Sequence, residues 1–217
     1  MSARILGISG SPIKNSNTDR LVQAVLAASG LPTEFVKLSR LRVGPCRACL
    51  GCVPDNVCKV ADDFPALAEK VRTAEALVIG AYPPYGSVDA FTKSFLERLY
   101  SMRHRNGLNR GKLAVVAVTG IGRGAPGIKE AGAQVSHALT LEGVEVIGHL
   151  EAEGNPECLV CGFGSSCVMS ALPWVFGDDL EVTPDKFRRV EEQREVWQKA
   201  AELGDLLART LTTGNAG

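Results

Sequence analysis

A chain of 217 residues with 24 Lys and Arg set against 24 Asp and Glu carries no formal net charge. That balance leaves no electrostatic footprint for nucleic acid or for an anionic membrane surface. The length suits one hydrophobic core, so a single domain over 1–217 is expected. No stretch is apolar for long enough to span a bilayer, and the N-terminus lacks the pattern of a signal peptide, so a cytoplasmic location is expected. Cysteines clustered in a reducing compartment more often bind metal or do redox chemistry than pair with each other.

In chain order, "RILGIS" at 4–9 reads as the first strand. Next comes "SGSPIKNSNTDR", dense in hydroxyls and amides, and then "NTDRLVQAVLAA", whose Leu21, Val22, Val25 and Leu26 form a helical stripe. Further strands are expected at 34–39, 76–82, 112–119 and 144–150, each rich in Val, Ile and Leu without clean alternation, as suits strands covered on both faces. Helical patterns fill 62–74, 90–103 and 125–142, and a long helix with one charged side is expected over about 184–211. Five strands alternating with helices predict an α/β fold, a flavodoxin-like doubly wound parallel sheet in the order 2-1-3-4-5. A cysteine-rich loop at 44–59 follows strand two, and 151–217 forms a C-terminal extension with further cysteines.

In such sheets ligands bind beyond the carboxyl ends of the strands, where strand order reverses. The loop after strand one fits a phosphate monoester: main-chain N–H groups and the helix dipole would face the anion, with Ser9, Ser11, Ser16, Asn17 and Thr18 as further donors. A plain capped turn is the alternative. No Walker lysine pattern is present. Two more loops should emerge at the same edge. "YPPYGSVDAF" offers Tyr85 with the amides of Gly86 and Ser87, and "TGIGRGAPG" offers close backbone approach at Gly120, Gly122 and Gly124 together with Arg123. Together they would hold a flat heteroaromatic ring, with Arg123 stabilising the anionic reduced form of a flavin. "GRGAPG" at 122–127 matches G-x-G-x-x-G, but it follows strand four and contains Pro126, where a dinucleotide fingerprint belongs on the first strand.

Cys46, Cys49, Cys52 and Cys58 follow the spacing C-x2-C-x2-C-x5-C. Thiolates at successive x2 intervals can each bind a different iron of one cluster, so a compact [4Fe-4S] site is favoured. Structural zinc, whose ligands usually come as two pairs, and a redox dithiol are the alternatives. A second group, Cys158, Cys161 and Cys167, supplies three thiolates for a second cluster, for zinc completed by His149 or another chain, or for a structural knuckle. His104 and His137 read as surface or packing residues, and Trp174 and Phe176 as core or subunit interface.

On "GISGSPIKNSNT", "PCRACLGCVPDNVCKVADDF" and "YPPYGSVDAFTKSFLER", the chain resembles the iron-sulfur flavoprotein family, a branch of the NADPH-dependent FMN reductases. The resemblance implies a bound FMN, a [4Fe-4S] cluster on the first four cysteines, and a homodimer or homotetramer that exchanges electrons with ferredoxin or a similar carrier. By position it implies Ser9, Ser11, Asn17 and Thr18 at the FMN phosphate, and Pro84, Tyr85, Gly86, Ser87, Thr119, Gly120 and Gly122 around the ring. Two rival readings stand beside it: an NAD(P)H-dependent FMN or quinone reductase with structural zinc, and a non-enzymatic flavin- or metal-binding redox sensor.

Overall fold

The computed structural model describes residues 4–122 and 126–213. Five strands, β1 (Ile5–Ser9), β2 (Thr33–Lys37), β3 (Ala76–Ala81), β4 (Leu113–Gly120) and β5 (Glu145–Glu153), form one sheet in the order β2-β1-β3-β4-β5. Every neighbouring pair is parallel. The expected topology is therefore observed. β1, β3 and β4 are buried along their whole lengths, which is why their sequences lack a polar face.

Parallel strands need crossovers, and the helices supply them. α1 (Asn17–Ala28) packs on one face of the sheet, and α2 (Phe64–Thr73), α3 (Ala90–Leu99) and α4 (Pro126–Leu141) cover the other. Successive residues of each strand are divided between the two cores: Leu6, Leu77 and Val116 join Phe64, Phe95 and Val135, whereas Ile5, Val78 and Val115 join Leu21 and Val25. A short helix α5 (Leu172–Phe176) and a long helix α6 (Arg194–Thr213) follow β5. Leu203, Leu207 and Leu211 of α6 complete the core on the α1 side. At their crossing the backbones come close, since a Cβ on Gly204 would lie 2.4 Å from the Val25 carbonyl oxygen.

α6 begins ten residues later than the helix expected from 184. Residues Pro184–Lys186 and Val190–Glu192 form single 3-10 turns, and Phe187 and Arg189 between them are extended. Tertiary partners hold this strap out of the helix. Lys186 Nζ donates to the carbonyls of Asp179 and Glu181, and the Asn17 amide bridges the Arg188 carbonyl and the Val190 N–H. β5 runs to Glu153, past the expected start of the extension at 151.

Candidate functional site

The carboxyl ends of β1, β3 and β4 lie side by side, and the loops that leave them form the first part of the site. After β1, Ser16 caps α1 in a capping box. Its Oγ accepts from the Asp19 N–H at 3.1 Å, while Asp19 accepts from the Ser16 N–H at 3.2 Å. Asp19, only 3% exposed, also accepts from Ser9 Oγ at 2.6 Å and forms an ion pair with Lys37 Nζ at 2.6 Å. Lys37 in turn donates to the Ile13 carbonyl at 2.7 Å, tying the middle of the loop to the end of β2. Thr18 Oγ1 meets Thr119 Oγ1 at 2.6 Å, and Asn17 is taken up by the strap at 188–190.

The structure thus brings Ser9, Ser11, Ser16, Asn17 and Thr18 into one loop, and the side chains of all five are engaged in holding it, Ser11 Oγ accepting from the Ile13 N–H at 3.3 Å. The main-chain N–H groups of the first helical turn are what such a loop presents to an anion, because they have no intrahelical acceptor. Asp19 and Lys37 were missed in the sequence. The N-cap is Ser16, and the pairing of Asp19 with Lys37 depends on β2 lying beside β1.

Gly10 continues β1 into a space where a Cβ would sit 2.0 Å from Thr92 Oγ1 and 2.5 Å from Asp89 Oδ1. Asp89 is fully buried, caps α3, and accepts from the Thr92 N–H and Oγ1, both at 2.8 Å. Burial pushes its carboxyl above the ordinary range, against the hydrogen bonds from Thr92 and Tyr82.

The loop after β3 turns through Pro84–Gly86, and Tyr85 there has φ +53 with its side chain fully exposed. For an aromatic residue the left-handed region is an uncommon conformation, of the kind that collects at functional sites. Ser87 Oγ and the Val88 N–H both donate to Gln134 Oε1 on α4, which fixes the end of the loop. Beside it lies the loop after β4. A Cβ on Gly120 would lie 3.0 Å from Pro83, and one on Gly127 would lie 2.9 Å from Gly86 Cα. The loop after β3 therefore meets Gly120 through Pro83 and the first turn of α4 through Gly86, whereas a Cβ on Gly122 would face open space and Arg123 lies outside the described residues.

The second part of the site is a small pocket, about 20 Å³, lined by Cys46, Cys49, Cys52 and Cys58 together with Arg98 and Tyr100. Ala48, Leu50 and Asn56 all have positive φ, so the loop is bent sharply between its cysteines. Cys46 and Cys49 are exposed, Cys58 is partly buried and Cys52 is buried. Burial pushes the Cys52 thiol up, and the charges of Cys58, Cys46 and Cys49 add to the shift.

Nitrogen atoms stand within hydrogen-bond reach of three of the sulfurs. The Ala48 N–H lies 3.4 Å from Cys46 Sγ, Arg98 Nη2 lies 3.2 Å from Cys58 Sγ, and His104 Nε2 lies 3.2 Å from Cys52 Sγ. His104, read from the sequence as surface or packing, instead stands against a cysteine of the pocket. Its carbonyl accepts from Asn56 Nδ2 at 2.7 Å and its ring meets Tyr100 edge-on at 4.9 Å. No three Cys, His, Asp or Glu side chains among the described residues are gathered closely enough to hold a single metal ion. A cluster spreads its thiolates over separate irons, so four cysteines lining a common pocket, with N–H donors at Cys46 and Cys58, suit its chemistry.

The second cysteine group lies beyond β5. The sulfurs of Cys158, Cys161 and Cys167 each accept a main-chain N–H, from Ala171, Phe163 and Met169 respectively, at 3.3 to 3.4 Å. His149 Nε2 is 3.4 Å from Ser136 Oγ, with its ring against α4. Val168, Met169 and Trp174 around this group are each more than four-fifths exposed. Trp174 is thus on the surface rather than in the core.

A profile of the NADPH-dependent FMN reductase family matches residues 3–151. The chain is 30% identical over 149 residues to an iron-sulfur flavoprotein of Methanosarcina thermophila, covering 67% of this chain and 77% of the relative. It is 32% identical over 103 residues to an iron-sulfur flavoprotein of Methanocaldococcus jannaschii, covering 46% of this chain and 53% of the relative. Among solved structures it is similar to RosB with a bound 8-demethyl-8-formylriboflavin-5'-phosphate intermediate, with a TM-score of 0.63 and 18% identity over 98% of this chain and 81% of that one. The second cysteine group falls outside the matched profile.

Proposed function

This chain belongs to the iron-sulfur flavoprotein branch of the NADPH-dependent FMN reductase family, a group of flavin-dependent oxidoreductases, and from that premise we propose a specific electron-transfer protein. It holds FMN on the loops after β1, β3 and β4 and a [4Fe-4S] cluster on Cys46, Cys49, Cys52 and Cys58, and it exchanges electrons with a one-electron carrier such as ferredoxin. The pocket lined by all four of these cysteines carries the reading. When bound, FMN supplies a centre able to take one or two electrons, which lets one-electron and two-electron partners meet.

The chain's own residues bind and orient. Main-chain N–H groups at the start of α1 receive the phosphate, with Ser11 Oγ beside them and the Asp19–Lys37 pair holding the loop in shape. Pro84, Tyr85, Gly86, Ser87, Thr119, Gly120 and Gly122 border the ring, and Arg123 supplies the positive charge. No side chain has to act as nucleophile or general acid. Cys158, Cys161 and Cys167, whose sulfurs already accept amide N–H groups, serve a second centre of iron-sulfur or zinc. The exposed Val168, Met169 and Trp174 provide apolar surface for a second copy of the chain in a homodimer or homotetramer.

The test is the content of iron, acid-labile sulfide, zinc and flavin in anaerobically purified protein. About four irons, four sulfides and one FMN per chain are expected from the first loop alone, and near eight of each inorganic element if the second group holds a cluster. Zinc without sulfide would overturn the electron-transfer reading and leave an NAD(P)H-dependent FMN or quinone reductase.

A further inference from the structure

Arg98 is the largest fully buried side chain of the described residues, and it reaches three points of the cysteine loop at once. Its Nη1 donates to the Gly44 carbonyl at 3.0 Å, just before Cys46, and to Asp62 Oδ2 at 2.6 Å, just after Cys58. Its Nη2 donates to Asp62 Oδ1 at 3.0 Å and to Cys58 Sγ at 3.2 Å, and the guanidinium lies 4.6 Å over the Phe64 ring. Asp62 needs nothing more, because it also accepts from the N–H groups of Gly44 and Phe64. Its carboxyl is pushed up by burial, but the Arg98 and main-chain hydrogen bonds outweigh that and hold it below its ordinary value.

A clasp on the loop would require only the end of the guanidinium fork that faces Asp62. The remaining edge is not explained by it. Nε is buried and has no hydrogen-bond partner among the described residues. In the planar fork the Nε–H runs parallel to one Nη2–H, the same edge that meets Cys58. A buried donor without an acceptor is costly and calls for a reason.

We infer that Arg98 is a positioning residue for the iron-sulfur cluster, presenting its Nε–H, Nη2–H and fixed charge to the Cys58 side of the pocket and so favouring the reduced cluster. The inference rests on the cluster proposed above. Each electron added makes a thiolate-ligated cluster more negative, and hydrogen bonds to its sulfurs together with nearby positive charge raise its potential. Arg98 suits this because its guanidinium stays charged at any working pH. Its position at the end of α3 also makes that helix one wall of the site.

The test uses anaerobically purified holoprotein, titrated with dithionite and followed by visible absorbance and electron paramagnetic resonance. Wild type is assayed for iron and sulfide first, and their absence would sink the cluster reading itself before any variant is made. Arg98→Lys keeps a cation without the planar fork. The double variant Arg98→Met with Asp62→Asn removes both charges, so neither is left buried alone. Both are expected to shift the cluster midpoint to more negative potential, the double variant further, with the FMN midpoint unmoved. A variant that keeps its circular dichroism and FMN but no iron also supports the assignment. Unchanged cluster midpoints in both variants would overturn it. So would an Arg98→Lys protein that loses fold and FMN together with iron, since Arg98 would then be only a structural clasp.

Discussion

Asp19 shows how a single buried carboxylate can hold the loop after β1 in shape. It receives Ser9, Ser16 and Lys37 together, and Lys37 passes the restraint on to Ile13. Breaking such a buried pair from one side typically costs about 3–5 kcal/mol. Lys37→Met is therefore expected to lower unfolding stability by about that much and to weaken FMN binding by about tenfold or more. Urea unfolding and quenching of FMN fluorescence measure the two effects, and wild-type affinity in the variant would show that the pair does not shape the loop. Asp89 gives a pH dependence. Because burial raises its folded value above the unfolded one, its contribution is most favourable below the unfolded carboxylate range near pH 4 and is lost as pH rises through the raised value. Asp89→Asn should flatten that part of the stability–pH profile; an unchanged slope would count against the assignment. Neither role was legible in the sequence, since Asp19 meets a strand eighteen residues away and Asp89 differs from other helix caps only in its burial. The same holds for His104, which lies 52 positions from the cysteine it meets.

At the scale of elements, α3 has two jobs. Its start is capped by the buried Asp89 beside Gly10 and Tyr82, and its end delivers Arg98 to the cysteine pocket. The helical pattern over 90–103 announced the element but not the second job. α6 behaves differently: its charged and apolar faces were readable, whereas its start was not, because tertiary hydrogen bonds to Lys186, Arg188 and Val190 keep the preceding strap extended. Its seat on α1 depends on Gly204. A larger residue there has no room beside the Val25 carbonyl, so Gly204→Leu should cost about 1–3 kcal/mol, the usual range for overpacking. Thermal and urea unfolding would reveal it, and an unperturbed midpoint would mean that the two helices can part without loss.

For the whole molecule, the family profile ends at 151 but the core does not. Leu203, Leu207 and Leu211 complete one face of the sheet, and Arg4 Nη2 reaches the Leu211 carbonyl at 3.0 Å, joining the two ends of the described chain. A chain cut after Glu153 should therefore lose its cooperative unfolding transition and aggregate, as measured by calorimetry and size-exclusion chromatography. A truncated chain that melts like the full one would show that the matched region folds by itself. The sequence alone determined the five strands, their order and the loops that carry the candidate chemistry, because hydrophobic periodicity and cysteine spacing are local signals. Only the tertiary structure decided what each of those residues faces: hydroxyls turned inward at the loop after β1, a histidine against Cys52, and a buried arginine against Cys58. The histidine and arginine pairings join positions 52 and 40 residues apart, and Thr18 meets Thr119 across 101, whereas side-chain chemistry at one position carries no record of which distant position folding will bring beside it.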